Sequence, residues 1–328
     1  MPNDFNDDNF LEMIISSIAE PIFVKDEKHS WILINKAFCD FLGYKREELI
    51  GKSDFDFFPK EQAQVFWDKD EEVIKSGMEN SNEERLTNAQ GVVHTIVTKK
   101  TLYIDKKGQK FLVGIIRDIT KQKESEEKLK ISNTQLQRSL VGTADALATA
   151  LEKRDPYTAG HEKRVAKLAC AVAAQMGLPQ AQIEGMRITA FLHDIGKIVV
   201  PAEILSKPSR LNEYEYSIVK THPEVGFDIL KRLEFSWPIA QIVLQHHERL
   251  NGSGYPNGLK GEAILLEAKI LAVADVVEAM VSHRPYRPAL SVDKALEEIT
   301  QNRNILYDGA VVDACVKVIK EDHFQFDK

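Results

Sequence analysis

The sequence predicts an amino-terminal α+β domain and a carboxy-terminal all-α domain, joined by a helical linker. Short β-type runs separated by turns occur before residue 120. From Asp145 onward, apolar residues recur at helical spacing, and no alternating run of strand length occurs. Leucines recur at intervals of seven and four residues between these parts. Since 328 residues can form two cores, we expect domains at 1–120 and 145–328, with a linker at 121–144.

The first domain should begin with a helix and continue mainly as strands. A helical pattern starts at 9–18, and charged turns separate the β-type runs that follow it. The turns Asn-Ala-Gln-Gly and Asp-Lys-Lys-Gly interrupt the later β-type residues. We therefore predict strands at 22–25 and 31–34, a helix at 35–42, and further strands within 86–97 and 102–119.

Two phrases in this domain resemble the PAS family. One is Ile-Asn-Lys-Ala-Phe-Cys-Asp-Phe-Leu-Gly-Tyr at 34–44, followed by Glu-Leu-Ile-Gly-Lys at 48–52. The other is Gly-Ile-Ile-Arg-Asp-Ile-Thr at 114–120. The resemblance implies a five-stranded antiparallel sheet flanked by helices, often with a sensory role. No motif identifies a ligand for this domain, and a module that only dimerises is the alternative.

A leucine repeat marks the linker. Its spacing is typical of a heptad-like seam, so we predict a parallel coil that joins two copies of the chain and transmits the state of the sensor. The alternative is one amphipathic helix packed on its own domain. The repeat consists of Leu129, Leu136, Leu140, Leu147 and Leu151.

Composition limits the possible functions and locations. A formal net charge of -7 without long basic runs argues against a nucleic-acid polymer or an anionic membrane as partner. No apolar run reaches the length of a membrane span. The acidic start MPNDFNDDNF does not resemble a signal peptide, and three scattered cysteines are typical of reduced thiols. We therefore expect a cytoplasmic protein.

The second domain should be a bundle of about six or seven helices, and its histidines predict a metal site. In Phe-Leu-His-Asp-Ile-Gly-Lys, His193 and Asp194 are adjacent between apolar neighbours, and Lys197 follows three residues later. Adjacent buried ionisable groups are costly unless they are paired or coordinated, so this pair alone would favour the alternative of an exposed His-Asp pair at a helix end. Four further histidines within residues 161–247 favour a metal site over that alternative. The candidate ligands are His161, His193, Asp194, His222, His246, His247 and Asp275.

Seven candidate ligands exceed the four of one tetrahedral ion, so we predict two divalent metal ions. Imidazole and carboxylate ligands without thiolates disfavour structural zinc. We expect iron or manganese first, with zinc, cobalt or nickel as alternatives. Asp194 is our candidate for a carboxylate shared by both ions.

A glycine-rich segment directly follows His246 and His247. Glycine lets a backbone approach a ligand closely, and an arginine can bind phosphate through two parallel hydrogen bonds. A plain turn and solvated charges are the alternatives. The candidate substrate-binding residues are Gly254, Tyr255 and Pro256 in the loop, Arg284 and Arg287 further along the chain, and Lys197.

Four phrases of this domain together resemble the HD-GYP subgroup of the HD phosphohydrolases: HDIGK, HHERLNGSGYP, the helix around Ala-Asp275, and RPYR. The resemblance covers about residues 145–320 and implies hydrolysis of cyclic di-GMP to pGpG, in some members continuing to GMP. It also implies metal binding by the seven candidate ligands and phosphate contacts from Lys197, Arg284 and Arg287. Catalysis should depend most directly on Asp194 and Lys197.

Three positions depart from the pattern of that subgroup. Asn251 and Glu278 stand where aspartate is commoner. Tyr157 stands four residues before His161, where members with three metals carry glutamate. We therefore expect two metals and weaker cleavage of pGpG.

Two alternatives remain open at this point. A module could bind cyclic di-GMP or a signalling protein without cleaving anything, although the complete ligand set argues against it. The domain could also act on another nucleotide, such as a mixed cyclic dinucleotide, which the Gly-Tyr-Pro loop disfavours. A purely scaffolding role leaves the metal ligands unexplained.

Overall fold

The computed structural model describes residues 8–154, 159–283, 287–322 and 324–326. The chain divides into two compact units between Asn133 and Thr134, and each unit is described by itself. None of the described helices combines the length and the apolar character of a transmembrane span.

The first unit is built on one antiparallel sheet. Its strands are β1 (Ile22–Lys25), β2 (Trp31–Ile34), β3 (Asn80–Thr87), β4 (Val93–Ile104) and β5 (Lys110–Asp118). Its helices are α1 (Asp8–Ser17), α2 (Lys36–Leu42), α3 (Arg46–Leu49) and α4 (Lys60–Ser76), with a 3-10 helix at Asp54–Asp56. The strand order is β2-β1-β5-β4-β3, and every neighbouring pair is antiparallel. The expected α+β fold of this part is therefore confirmed.

One close contact explains a glycine in the sheet. Gly114 on β5 pairs with Phe23 on β1, and a Cβ atom at Gly114 would lie 2.1 Å from the Phe23 ring. Phe23 belongs to an apolar core that also contains Trp31, Phe38 and Leu112. A side chain at residue 114 would therefore displace a ring that joins the sheet to α2.

Buried charges account for the elements of this unit that differ from the prediction. Strand β3 begins at Asn80 rather than near 86, and its buried Glu84 accepts a hydrogen bond from Thr98 Oγ1 at 2.9 Å. Helix α4 has no counterpart among the predicted elements, and it buries Asp70. Lys25 and Lys100 each place Nζ 2.7 Å from an Asp70 oxygen. Charged residues at inward positions break the apolar periodicity on which sequence analysis depends.

A single long helix, α5 (Thr120–Glu152), runs through the predicted linker. It begins where Asp118 Oδ1 accepts hydrogen bonds from the Thr120 amide and hydroxyl, at 2.8 and 2.6 Å. Leu129 and Leu136 are 71% and 69% exposed, whereas Leu151 is buried. The helix agrees with the repeat, and its pairing as a coiled coil stays a prediction.

The second unit is a bundle of helices. Those that follow α5 are α6 (His161–Gln175), α7 (Gln180–Leu192), α8 (Ala202–Leu205), α9 (Glu213–Val219), α10 (His222–Leu230), α11 (Ile239–Gln245), α12 (Leu266–Val281), α13 (Val292–Gln301) and α14 (Gly309–Lys320). Two 3-10 helices lie at Ile195–Val199 and Gly261–Ala263. The all-α fold is confirmed, with more helices than expected. The physical reason is that Pro201 and Pro223 begin the short helices α8 and α10, instead of only separating longer ones.

Candidate metal centre

A glycine contact brings two candidate ligands together. Helix α7 ends at Leu192, and Asp194 then begins the 3-10 helix that contains Gly196. A Cβ atom at Gly196 would lie 1.9 Å from the backbone oxygen of His222, so the start of α10 packs directly on this glycine. His222 Nε2 consequently lies 3.3 Å from Asp194 Oδ1.

Three buried histidines share one orientation. The Nδ1 atoms of His193, His222 and His246 lie 2.5–2.7 Å from the backbone carbonyl oxygen three residues earlier. A carbonyl oxygen can only accept a hydrogen bond, so Nδ1 carries the proton of each neutral ring. Each Nε2 atom therefore presents a lone pair, which is the form of histidine that binds metals.

Among the described residues, no N–H or O–H group is seen to donate to the Nε2 lone pair of His193. The Nε2 atoms of His222 and His246 lie 3.3 Å apart, and the buried Nε2 atom of His193 has no hydrogen-bond partner in the part of the chain that the structure describes. Burial, together with neighbouring charges, lowers the pKa of His222 to about 4 and that of His246 to about 3. Neutral rings with converging lone pairs fit divalent metal ions, which supply the missing positive charge.

Asp194 belongs to both halves of the centre. Ligand atoms lie within 4.8 Å of one another in each half, so Asp194 can contact both groups. Burial alone would raise the pKa of Asp194, but Lys197 and the histidines hold it well below its ordinary value. The Lys197 ammonium donates directly to the Asp194 carboxylate. One half contains Asp194, His222, His246 and His247, and the other contains His161, His193 and Asp194.

Helix α12 supplies two carboxylates to His161. Asp275 Oδ1 lies 3.2 Å from His161 Nε2 and 3.9 Å from His193 Nε2. Glu278, one turn later, bonds to His161 Nδ1 and accepts from Arg164 Nε at 2.6 Å. Burial lowers the pKa of His161, but hydrogen bonds from its ring nitrogens to the carboxylates of Asp275 and Glu278 outweigh this effect and raise the pKa to about 10. Glu278 thus orients the ring of His161, a predicted ligand, through the ring nitrogen that faces away from Asp275.

The Gly-Tyr-Pro loop packs against His247, the second residue of the adjacent pair His246 and His247. The Tyr255 ring lies 4.7 Å from the His247 ring, centre to centre, and the peptide bond between Tyr255 and Pro256 is cis. A Cβ atom at Gly254 would lie 2.5 Å from the backbone of 247–249. Burial raises the pKa of the Tyr255 hydroxyl, which therefore stays protonated at neutral pH. The loop brings an aromatic ring to the candidate ligands.

A cavity of about 320 Å³ opens onto these residues. Arg287 lines it and donates to the carbonyl oxygens of Ala279 and Met280 at 2.8 and 3.2 Å, so part of its guanidinium is already occupied at the end of α12. Arg284 and Tyr157 lie outside the described residues. The predicted residues around the cavity are His161, Asp194, Lys197, His222, His247, Tyr255, Asp275 and Arg287.

Two buried glutamates near the candidate ligands are not among the site residues that the sequence predicts. Glu162 follows His161, and burial together with a hydrogen bond from its protonated carboxyl to Glu152 raises the pKa of Glu162 to about 9. Glu248 follows His247 and accepts two backbone hydrogen bonds from the loop. Their adjacency to predicted ligands was the available signal. A glutamate beside a histidine is too common in exposed helices for that signal to suffice.

Comparison with known proteins gives two family matches. The HD domain family matches residues 145–311, and the PAS fold matches residues 9–119. The chain is 41% identical over 194 residues to the cyclic di-GMP phosphodiesterase response regulator RpfG of Xanthomonas campestris pv. campestris, covering 58% of this chain and 51% of that protein. It is 41% identical over 192 residues to a cyclic di-GMP phosphodiesterase of Thermotoga maritima, covering 57% and 52%.

A third relative has a different name. The 3'3'-cGAMP-specific phosphodiesterase 3 of Vibrio cholerae serotype O1 is 37% identical over 174 residues, covering 53% of this chain and 38% of that protein. The chain spans about half the length of the first two relatives. The similarity to these proteins thus concerns part of each one.

Proposed function

Because this chain belongs to the HD domain family, we propose that it is a metal-dependent phosphodiesterase that hydrolyses cyclic di-GMP. The observation that carries the proposal is the position of Asp194 in both groups of clustered ligand atoms. The names of the two relatives at 41% identity support the choice of substrate.

We assign one metal to each half of the centre. His161, His193, Asp194 and Asp275 would hold the first ion. Asp194 with the three remaining histidines, His222, His246 and His247, would hold the second. When bound, divalent ions activate water and offset negative charge on phosphate oxygens. Iron or manganese is the expected metal.

The residues around the cavity would position the substrate. The Lys197 ammonium lies beside Asp194, where its charge can stabilise phosphate oxygens in the transition state. Tyr255 offers a flat apolar surface for a nucleobase, with Gly254 and Pro256 shaping the loop around it. Arg284 and Arg287 are assigned to phosphate contacts, and Arg287 lines the cavity.

We also propose which product is released and how hydrolysis is regulated. With Tyr157 in place of a glutamate ligand, two metals should yield mainly pGpG. We propose that the PAS domain regulates hydrolysis through residues 121–144, and that exposed leucines of α5 pair two copies of the chain. Cytoplasmic cyclic di-GMP would be the substrate, and signalling proteins are the expected further partners.

Product identification tests the proposed function. Protein purified without oxygen is analysed for metal content and incubated with cyclic di-GMP, and the products are identified by mass spectrometry. We expect about two ions per chain and release of pGpG, with no release after removal of the metal by a chelator. Binding of cyclic di-GMP by metal-loaded protein without any product would instead establish a non-catalytic module.

A second candidate substrate is a mixed cyclic dinucleotide, because one relative is named for 3'3'-cGAMP. Parallel assays with cyclic di-GMP and 3'3'-cGAMP distinguish the two. A larger kcat/KM for 3'3'-cGAMP would keep the reaction class and change the substrate.

A further inference from the structure

Glu248 directly follows His246 and His247, and its side chain is hydrogen-bonded to the Gly-Tyr-Pro loop. Its side chain is buried, with 2% of the residue exposed. Oε1 accepts a hydrogen bond from the Asn257 amide at 2.8 Å, and Oε2 accepts one from the Leu259 amide at 2.9 Å. One carboxylate therefore binds two backbone amides of the loop, both of which follow Tyr255 in the sequence.

Within the described residues, these two amides are the hydrogen-bond donors to the Glu248 carboxylate. No lysine, arginine or histidine nitrogen of the described residues lies within 4.0 Å of it. A buried carboxylate without a cation is costly, and hydrogen bonds from backbone amides offset that cost. Glu248 thus makes strong contacts that depend on one loop conformation.

The part of the loop up to Tyr255 packs on the backbone next to Glu248. The Tyr255 amide donates to the His247 carbonyl oxygen at 3.3 Å, and Gly254 packs on the backbone of 247–249. The backbone around Glu248 thus contacts the loop before Tyr255, while its side chain holds the loop after Tyr255. Between these contacts, the Tyr255 ring packs at a tilt against the His247 ring.

We propose that Glu248 is a positioning residue that holds Tyr255 against His247 and so sets the affinity of the site for its substrate. This inference rests on the proposed function. Glu248 touches neither the cavity nor the candidate metal ligands through its carboxylate, and it acts through Tyr255. Its loss should weaken substrate binding more than turnover.

The test compares Glu248→Gln and Glu248→Ala with Glu262→Gln, a matched change at an exposed glutamate in the 3-10 helix that follows the loop. Glutamine keeps one acceptor and the shape of the side chain, so it keeps the fold if alanine does not. We expect KM to rise about tenfold in Glu248→Gln, with kcat within about twofold of the unaltered protein and metal content unchanged. Glu262→Gln should match the unaltered protein.

Amide hydrogen exchange gives a readout that needs no substrate. We expect faster exchange at Asn257 and Leu259 in Glu248→Gln, and also at Tyr255, to which the carboxylate makes no bond. Unchanged exchange at Tyr255, or an unchanged KM, overturns the positioning role. If the unaltered protein does not cleave cyclic di-GMP, the proposed function fails, while exchange at Tyr255 still decides for or against the role of Glu248.

Discussion

The Nε2 atoms of His222 and His246 face each other at 3.3 Å, and each ring keeps its proton on the opposite nitrogen. Two such lone pairs repel each other, so this arrangement costs free energy in the protein alone. A cation between or beside the rings removes that cost. Metal binding and the stability of the second unit should therefore be linked.

Removal of the metal should destabilise the second unit. At a metal concentration of 100 times Kd, binding stabilises the folded state by about 2.7 kcal/mol, which corresponds to a Tm change on the order of 5–10 °C. Fluorescence of Trp237 reports on this unit, whereas Trp31 and Trp67 lie in the first. Thermal unfolding with and without a chelator measures the effect. Equal Tm values at Trp237 in both conditions would contradict it.

Replacement of Asp194 should affect both ions. In Asp194→Asn, both halves lose a charged ligand, so we expect metal content below one ion per chain and loss of turnover by at least about a hundredfold. In His246→Ala only one half loses a ligand, and about one ion should remain. Metal analysis of the purified variants measures this difference.

The control for these variants is Asp228→Asn, which changes an exposed aspartate of α10 that pairs with Lys231. It should keep two ions and full activity. Two tightly bound ions in Asp194→Asn would show that Asp194 is not the shared ligand.

Replacement of Glu278 should weaken metal binding at the half that contains His161. Glu278 bonds the ring nitrogen of His161 that faces away from Asp275, and loss of such a support typically costs about 10- to 100-fold in metal affinity or activity. Glu278→Gln should therefore lower the affinity for one ion and leave the other unchanged. Metal titration of the chelator-treated protein measures both affinities, with the exposed Glu297→Gln as control. A uniform loss at both sites would argue for general damage instead.

The buried charges of the first unit should make its stability depend on pH. Burial alone would raise the pKa of Asp70, but Lys25, His29 and Lys100 hold it below the ordinary 3.8. A lowered pKa in the folded state stabilises the fold above the ordinary value, and this contribution disappears as the pH falls below it. The contribution of Asp70 should therefore be complete above about pH 4 and decline at lower pH.

Asp70→Asn tests this pH dependence. Above pH 4 we expect a loss of roughly 3–5 kcal/mol in the free energy of unfolding, because Lys25 and Lys100 keep their charges without this partner. The difference from the unaltered protein should shrink as the pH falls below 4. Denaturant unfolding followed at Trp31 and Trp67 measures it. Asp68→Asn, at an exposed position of the same helix, should show neither effect.

The sequence could predict the elements with regular apolar patterns and the phrases rich in histidine. Strands β1 and β2 have the predicted bounds, because both are short apolar runs between charged turns. The sequence could not predict the start of β3 or the helix α4, because Glu84 and Asp70 occupy inward positions where only a tertiary partner makes charge tolerable. Those partners, Thr98, Lys25 and Lys100, lie far away along the chain.

The candidate site likewise contains residues that the sequence could predict and residues that it could not. The seven candidate ligands could be chosen by residue type, since imidazole and carboxylate are what such metals bind. Glu248 could not, because its partners are backbone amides of Asn257 and Leu259, which any residue carries. The contacts of Arg287 with the carbonyl oxygens at the end of α12 are hidden from the sequence for the same reason.

Gly196 limits which substitutions the candidate metal centre can tolerate. Its missing methyl group leaves the room that the His222 carbonyl oxygen occupies. Even an alanine would force α10 away from the 3-10 helix and widen the gap between Asp194 and His222. The spacing of the two ions would thus be set by a residue that binds neither of them, and a change there could disable both while leaving every ligand in the chain.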